Sequence, residues 1–522
     1  MPKPAVFFIP AIILATIFSY LNSFQNQFVF DDEDFVVKNS TIQDWHKWPH
    51  VFTENMIQGA RKGSNFYRPL QSLTHGVDYI LWKDKPQGHH AFNILFHILA
   101  AITAYMMLKA VFSREASFLA ALFFAVHPVH TEVITYISGR SEPMAAFFIL
   151  LAVLLFSKNI VLSCVSFILA ILSKESAFIA PALIMLYSYF STLRLRRIAR
   201  TISDILRAIS PFIIIGIIYG VLRLTVLNFS NTVGANLPQP YFYVPLYLRF
   251  LTFLKTLHVY FSILLWPFGL HMERQIGLAR SIFELQVFSG LSIFVSLFFI
   301  AVRIKKWNNA VLFSVCWFFI AMFPYSNIIP INALIYEHWL YLPSIGFFLF
   351  IAWLLEELIK KGKVFKYAAI ALAVITALFY MWRTYERNKE WRDPISFYES
   401  TIKYAPDSAR LHNNLAMAYA DKGRLDDAIK EYKKAIESGD YYPQTHYNLS
   451  NIYLQKNDYE NAIKELKRSI EIDSSFLYTH ESLALIYFNQ KSFSEARKEA
   501  GYILNVEPDN KIAGQILKRL LE

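Results

Sequence analysis

Cysteine and charge are what this chain has least of. Its 522 residues include only two cysteines, Cys164 and Cys316. Both fall in predicted apolar segments far apart in sequence, so a disulfide framework is excluded. Charged residues make up 17% and hydrophobic residues 55%, a balance that excludes an ordinary soluble multidomain protein of this length. Long apolar runs account for the excess. A run of about 18 apolar residues is long enough to cross a bilayer. Stretches at 5–23, 91–112, 116–126, 145–156, 160–172, 177–190, 211–222, 285–302, 310–323, 339–355 and 367–382 reach or approach that length. No small-x-small cleavage site follows the first, at Tyr20-Leu-Asn-Ser-Phe24, so it reads as an uncleaved span and not as a signal peptide.

The net charge of +11 calls for no nucleic acid, because much of it sits in short loops between the apolar runs. These loops carry Arg194, Arg196, Arg197, Arg200 and Arg207; Arg303, Lys305 and Lys306; and Lys360, Lys361, Lys363 and Lys366. Lys and Arg concentrate in cytoplasmic loops, which places these three inside, together with Lys3. Between Arg207 and Arg303 the number of crossings must then be even. Either 211–222 or 243–266 therefore fails to span. The second carries Arg249, Lys255 and His258, as an interfacial or re-entrant helix would. The expectation is an integral membrane bundle of about 11 spans, with the loop 24–88 and everything after residue 382 outside the cytoplasm.

After Trp382 the composition turns to charged, amphipathic helix. Leu415, Leu449 and Leu483 recur every 34 residues, as do Tyr419, Tyr453 and Tyr487, and Ala428, Ala462 and Ala496. That is the tetratricopeptide period, one helix–turn–helix per unit. Three repeats are expected within 408–522, with a cap over 511–521, after a linker and half-repeat at 383–407. The fold class is all-α: a polytopic membrane helix bundle over 1–382, followed by a tetratricopeptide-repeat solenoid. His412, His446 and His480 keep the same period. Equivalent positions in stacked repeats lie about a helix diameter apart, too far to share an ion, so these read as packing residues. Asn414 and Asn448 recur, with Ser482 breaking the series. They either hydrogen-bond between helices or hold an extended acceptor peptide in the inner groove.

Polar residues in a membrane domain are costly and lean functional. Here they collect at the outer ends of the predicted spans. Asp31, Asp32, Glu33 and Asp34 stand in a row after the first span, followed by Arg68-Pro69. Pro69 suits a helix start, and Leu70, Leu73, Val77, Ile80 and Leu81 form one apolar stripe, as on a helix lying on the membrane surface. Then come His89, His90, Asn93 and His97; His127, His130 and Glu132; Arg140; Lys174-Glu175; and Glu337-His338. Carboxylates suit a general base, and Arg or His suits a phosphate. Together they point to sugar transfer from a lipid-phosphate carrier, through a centre of oxocarbenium character.

These residues carry a family resemblance. The marks are Phe30-Asp31-Asp32 with Asn39, Tyr67-Arg68-Pro69-Leu70, His89-His90 with Asn93 and His97, His127-Pro-Val-His130-Thr-Glu132, Gly139-Arg140, Lys174-Glu175, and Glu337 followed by Leu340-Tyr-Leu-Pro-Ser344. The membrane part resembles the C-superfamily integral-membrane glycosyltransferases. The whole chain resembles a short bacterial-type relative of the transmembrane and tetratricopeptide-repeat O-mannosyltransferases. The resemblance implies a polyprenyl- or dolichyl-phosphate sugar donor, inverting transfer to a Ser/Thr-bearing protein, and an inner-membrane location. It makes Asp31 and Asp32 the catalytic pair. Arg68, His89, His90, Asn93, His127, His130, Arg140, Lys174, Glu337 and His338 are candidates for the donor phosphate and lipid, and Asn414 and Asn448 for the acceptor. His338 departs from the family, which commonly has Arg there. A divalent cation, Mg or Mn, on Asp31, Asp32 and a nearby His is a further expectation. The competing reading is a non-catalytic membrane scaffold whose repeats assemble envelope proteins. A transporter would want polar groups near mid-membrane and inverted repeats, and neither is evident.

Overall fold

The structure, a computed structural model, describes residues 7–191, 202–229, 243–304, 309–331 and 333–521. Lys3, Arg194, Arg196, Arg197, Arg200, Lys305 and Lys306 lie outside the described residues. The described residues are helical, without strands, and fall into two compact units, 1–393 and 394–522. The boundary lies eleven residues beyond the expected one at 382 because the last helix of the first unit runs on to Asn388.

In the first unit the apolar runs become helices, as they must where no water can satisfy the backbone. They are α1 (Phe8–Tyr20), α2 (Pro69–Trp82), α3 (Pro86–Leu108), α4 (Arg114–Val126), α5 (Ser141–Leu155), α6 (Ile160–Ser173), α7 (Ala180–Phe190), α8 (Ile202–Leu224), α9 (Leu246–Leu265), α10 (Leu285–Ile304), α11 (Asn309–Met322), α12 (Ser344–Ile359) and α13 (Lys363–Asn388). Among the described residues, seven helices are long and apolar enough to cross a membrane. An eighth counts if 114–126 and 128–135, bent by 48°, form one span. Cys164 and Cys316 are free thiols on α6 and α11.

One end of the bundle carries the acid row and the first loop. The described basic residues Arg207, Arg303, Lys360, Lys361, Lys363 and Lys366 lie at the other end. Of the two segments competing for a span, α8 runs between the ends. Arg207 stands near its start, and at its finish Arg223 donates to the Asn65 carbonyl at 2.8 Å. α9 is long enough to cross but follows the loop end instead. Arg249 donates to the Ile328 carbonyl at 2.5 Å, Lys255 pairs with Glu284 at 2.9 Å, and Tyr260 donates to the Tyr336 carbonyl at 3.2 Å. His127 meets the Leu264 carbonyl at 3.2 Å.

α2 turns its apolar stripe outward, as on a helix lying against lipid. Its buried face is the polar one, Gln71, Ser72, His75 and Asp78, while Ile80 and Leu81 are 45% and 58% exposed. In a soluble protein that would be inside out. Against lipid it is the favourable arrangement, since the polar groups find partners only within the protein.

The second unit follows the predicted period. A single helix, α14 (Pro394–Ile402), precedes three pairs: α15 (Ala409–Asp421) with α16 (Leu425–Ser438), α17 (Pro443–Gln455) with α18 (Tyr459–Ile472), and α19 (Leu477–Asn489) with α20 (Phe493–Val506). α21 (Lys511–Arg519) caps the array. Ala428, Ala462 and Ala496 are fully buried, and Leu415, Leu449 and Leu483 nearly so.

Candidate active site

The segment 127–140 is the spine of the loop end. From it, side chains and backbone reach several other polar elements there. His130 meets Ser344 Oγ at 3.3 Å, and Glu132 meets His338 Nδ1 at 2.7 Å. Thr135 donates to Asn388 Oδ1 at 2.7 Å. Tyr136 stacks on Trp391 at 5.4 Å. Ser138 donates twice to Asp32, from its backbone N at 2.8 Å and from Oγ at 2.5 Å. Gly139 is required by a close approach: a Cβ there would stand 2.9 Å from Val133 Cα.

The acid row divides into unlike halves. Asp32 is fully buried, and its other oxygen accepts from Val29 N at 3.0 Å. Burial pushes its carboxyl up from 3.8 to about 7, against the lowering effect of those hydrogen bonds. Asp31 is partly exposed beside it. The Tyr136 phenol is pushed well above its usual value, by burial first and then by the Asp31 and Asp32 charges. Phe30, immediately before the pair, adopts φ 54°, a left-handed conformation costing a bulky side chain about 1–3 kcal/mol. Glu33 pairs with Lys38 at 3.0 Å and Asp34 with Lys62 at 2.6 Å, so these two acids serve surface ion pairs.

Behind the spine lies a fully buried ionic network. Arg140 pairs with Asp78 at 2.5 Å and donates to Asn93 Oδ1 at 2.6 Å and to the His89 carbonyl at 2.9 Å. Asn93 donates to the carbonyls of Ile134, Tyr136 and Ile137. His89 Nδ1 stands 3.2 Å from Asp78. His90 meets the Asn26 carbonyl, and His97 meets Tyr341 and the Ala125 carbonyl. By residue type and spacing, His89, His90, Asn93, His127, His130 and Arg140 are expected toward a donor phosphate. In the structure all six are essentially without exposed surface and their nearest partners are protein atoms. Their geometry braces the spine, and so positions Ser138 under Asp32.

The remaining candidates are closer to the surface. Arg68, 14% exposed, faces Glu175 at 3.6 Å, and Lys174 is bonded to Glu142. His338 is 22% exposed. Glu337 is buried between two cations that sequence reasoning missed: Arg274 at 2.7 Å and Arg387 at 2.8 Å. Burial pushes its carboxyl up, opposed by Arg387 and then Arg274. Arg274 is 16% exposed.

For a divalent ion the acid pair offers Asp31, partly exposed, more readily than buried Asp32. Both Asp32 oxygens already accept from N–H and O–H donors. Among the described residues the one cluster with metal-ligand spacing is His75, Asp78 and His89, and there the Arg140 guanidinium occupies the Asp78 carboxylate. Sequence reasoning missed Asp78 as well. Its signal was present: Gln71, His75 and Asp78 share one face of α2 at spacings of four and three.

In the repeats, His412, His446 and His480 are packing residues. Each Nδ1 meets a glutamate of the paired helix at 2.6 Å: Glu431, Glu465 and Glu499. Asn414 accepts from its neighbour Asn413 at 3.1 Å. Both Asn414 and Asn448 are half-buried.

A tetratricopeptide-repeat family model matches residues 407–475. The chain is 29% identical to protein O-mannosyl-transferase F38B6.6 of Caenorhabditis elegans, over 80% of this chain and 61% of that protein. It is 26% identical to human protein O-mannosyl-transferase TMTC3, over 79% of this chain and 49% of that one. It thus spans between about half and three-fifths of the length of these relatives. Among solved structures, the apo oligosaccharyltransferase of Archaeoglobus fulgidus aligns with TM-score 0.39 and 13% identity, over 74% of this chain and 56% of that one. The resemblance read from the motifs therefore holds: this chain is similar, over four-fifths of its length, to proteins named protein O-mannosyl-transferases.

Proposed function

We propose that the chain is a membrane glycosyltransferase. It moves a sugar from a polyprenyl- or dolichyl-phosphate carrier to a Ser or Thr hydroxyl of a protein, on the extracytoplasmic side of a bacterial inner membrane. The observation that carries this is the division of labour within the acid pair. Asp32 is spent on Ser138 and Val29, and that fixes its neighbour Asp31 at a partly exposed position on the loop end. Asp31 accepts the proton of the acceptor hydroxyl as the hydroxyl oxygen bonds to the anomeric carbon. The lipid phosphate departs from the opposite face with the bonding electrons, which gives inversion. A cation can stabilise the departing phosphate without protonating it. Arg274 and His338, both partly exposed and anchored by Glu337 and Glu132, suit that role. The repeats recruit the acceptor, with Asn414 and Asn448 in contact with its backbone.

The test is transfer from a dolichyl-phosphate-linked sugar, mannose first, to a Ser/Thr peptide by the purified protein. Asp31→Asn is expected to lower the rate by about 10²–10⁴-fold, the contribution of a general base, with unchanged thermal unfolding. A variant as active as the parent would overturn the assignment.

A further inference from the structure

At the end of the bundle opposite the first loop, a cavity of about 460 Å³ opens among the last turns of α3 and α5, the start of α4 and the end of α7. Three cations line it: Lys109, Arg114 and Lys158. None makes an ion pair among the described residues, and Lys109 lies 4.8 Å over the Tyr105 ring. Tyr105 and Tyr187 form its floor, each only 3% exposed. Neither hydroxyl has a hydrogen-bond partner among the described residues. The acids nearby are Glu115, on the first turn of α4, and Glu356, which accepts from Ser113 at 3.0 Å.

We infer that this cavity binds the phosphate headgroup of an anionic phospholipid. Three like charges around one cavity favour an anion that joins them, and the two phenol hydroxyls at its floor can donate to that anion's oxygens. Met106 and Leu154 line the same cavity, giving the apolar wall that a lipid offers a use for and free phosphate does not. Its place at the bundle end is where helix termini meet headgroups, and basic pockets between spanning helices take anionic lipids in this way.

The experiment compares the full chain in phosphatidylcholine nanodiscs with and without phosphatidylglycerol. Retained lipid is read by native mass spectrometry and stability by thermal unfolding. Phosphatidylglycerol is expected to be retained and to raise the unfolding temperature. The double variant Lys109→Gln, Lys158→Gln is expected to lose retention by on the order of tenfold, given about 1 kcal/mol per cation near an anionic surface. Lys366→Gln, an exposed cation at the same end, is expected to leave it unchanged. If the double variant does not fold, Tyr105→Phe removes one hydroxyl with the ring retained, and weaker retention is expected there too. Equal retention in the site and control variants overturns the proposal. So does equal stabilisation by inorganic phosphate alone, which would assign the cavity to a soluble anion.

Discussion

Two buried carboxylates set the chemistry of the loop end, and they do so differently. Asp32 titrates near 7 in the fold, against 3.8 in the open chain. Between those values the native state holds a proton that the unfolded state lacks, so stability falls as pH rises across that window and is level above it. In the proposed reaction Asp32 acts through Asp31, as a positioning residue. Asp32→Asn is expected to cost transfer about 10²-fold and also to remove an ionisation near pH 7 from the pH–rate profile. An unchanged profile would show that Asp32 is inert. Asp78 is the other case. Removing it leaves Arg140 charged and uncompensated in a dry site, so Asp78→Ala is expected to destabilise by about 3–5 kcal/mol, read as a lowered unfolding temperature in detergent.

At the scale of elements, each repeat is a helix pair held by a small residue and a charge clamp. Ala462 is fully buried where α17 and α18 touch. Ala462→Leu inserts methylenes that the close approach cannot accept, and is expected to cost about 1–3 kcal/mol, measured on the unfolding of the repeat unit. The clamp at His446 adds a pH dependence. Burial pulls its imidazole down, but its hydrogen bonds to Glu465 and Asp440 outweigh this and hold it above 6.5. A raised imidazole contributes stability that is full below its unfolded value and is lost as pH rises through the folded one. The repeat unit is therefore expected to lose stability as pH climbs above 6.5, an effect that His446→Gln removes, checked by circular dichroism melts across pH.

The molecule consists of two units of different solvent character, and this allows the enzyme and scaffold readings to be separated. The first unit closes its own polar network: Arg387 and Asn388, near its end and buried, bond Glu337 and Ser19. Truncation after Asp393 is therefore expected to leave a folded membrane unit that still binds the lipid-linked donor, while transfer to a protein acceptor falls. Loss of donor binding on truncation would favour the scaffold.

What the sequence determined by itself were the features that follow from periodicity and local composition. Apolar length dictated helices across a membrane, the interval of 34 dictated the repeats and their cap, and basic loops sorted the two ends. The position of Asp31 and Asp32 at the loop end was also legible, from their place directly after the first apolar run. Packing alone settled which polar groups face each other. His89, Asn93 and Arg140 looked like ligands for a phosphate because their residue types fit one, yet their partners, Asp78 and the 134–137 carbonyls, come from other elements. The same holds for Arg274 and Arg387, brought to Glu337 from 63 and 50 residues away. A side chain's chemistry is local and can be read along the chain. Its burial and its counter-charge are set by packing, which places distant segments side by side in a medium where an unpaired polar group is costly.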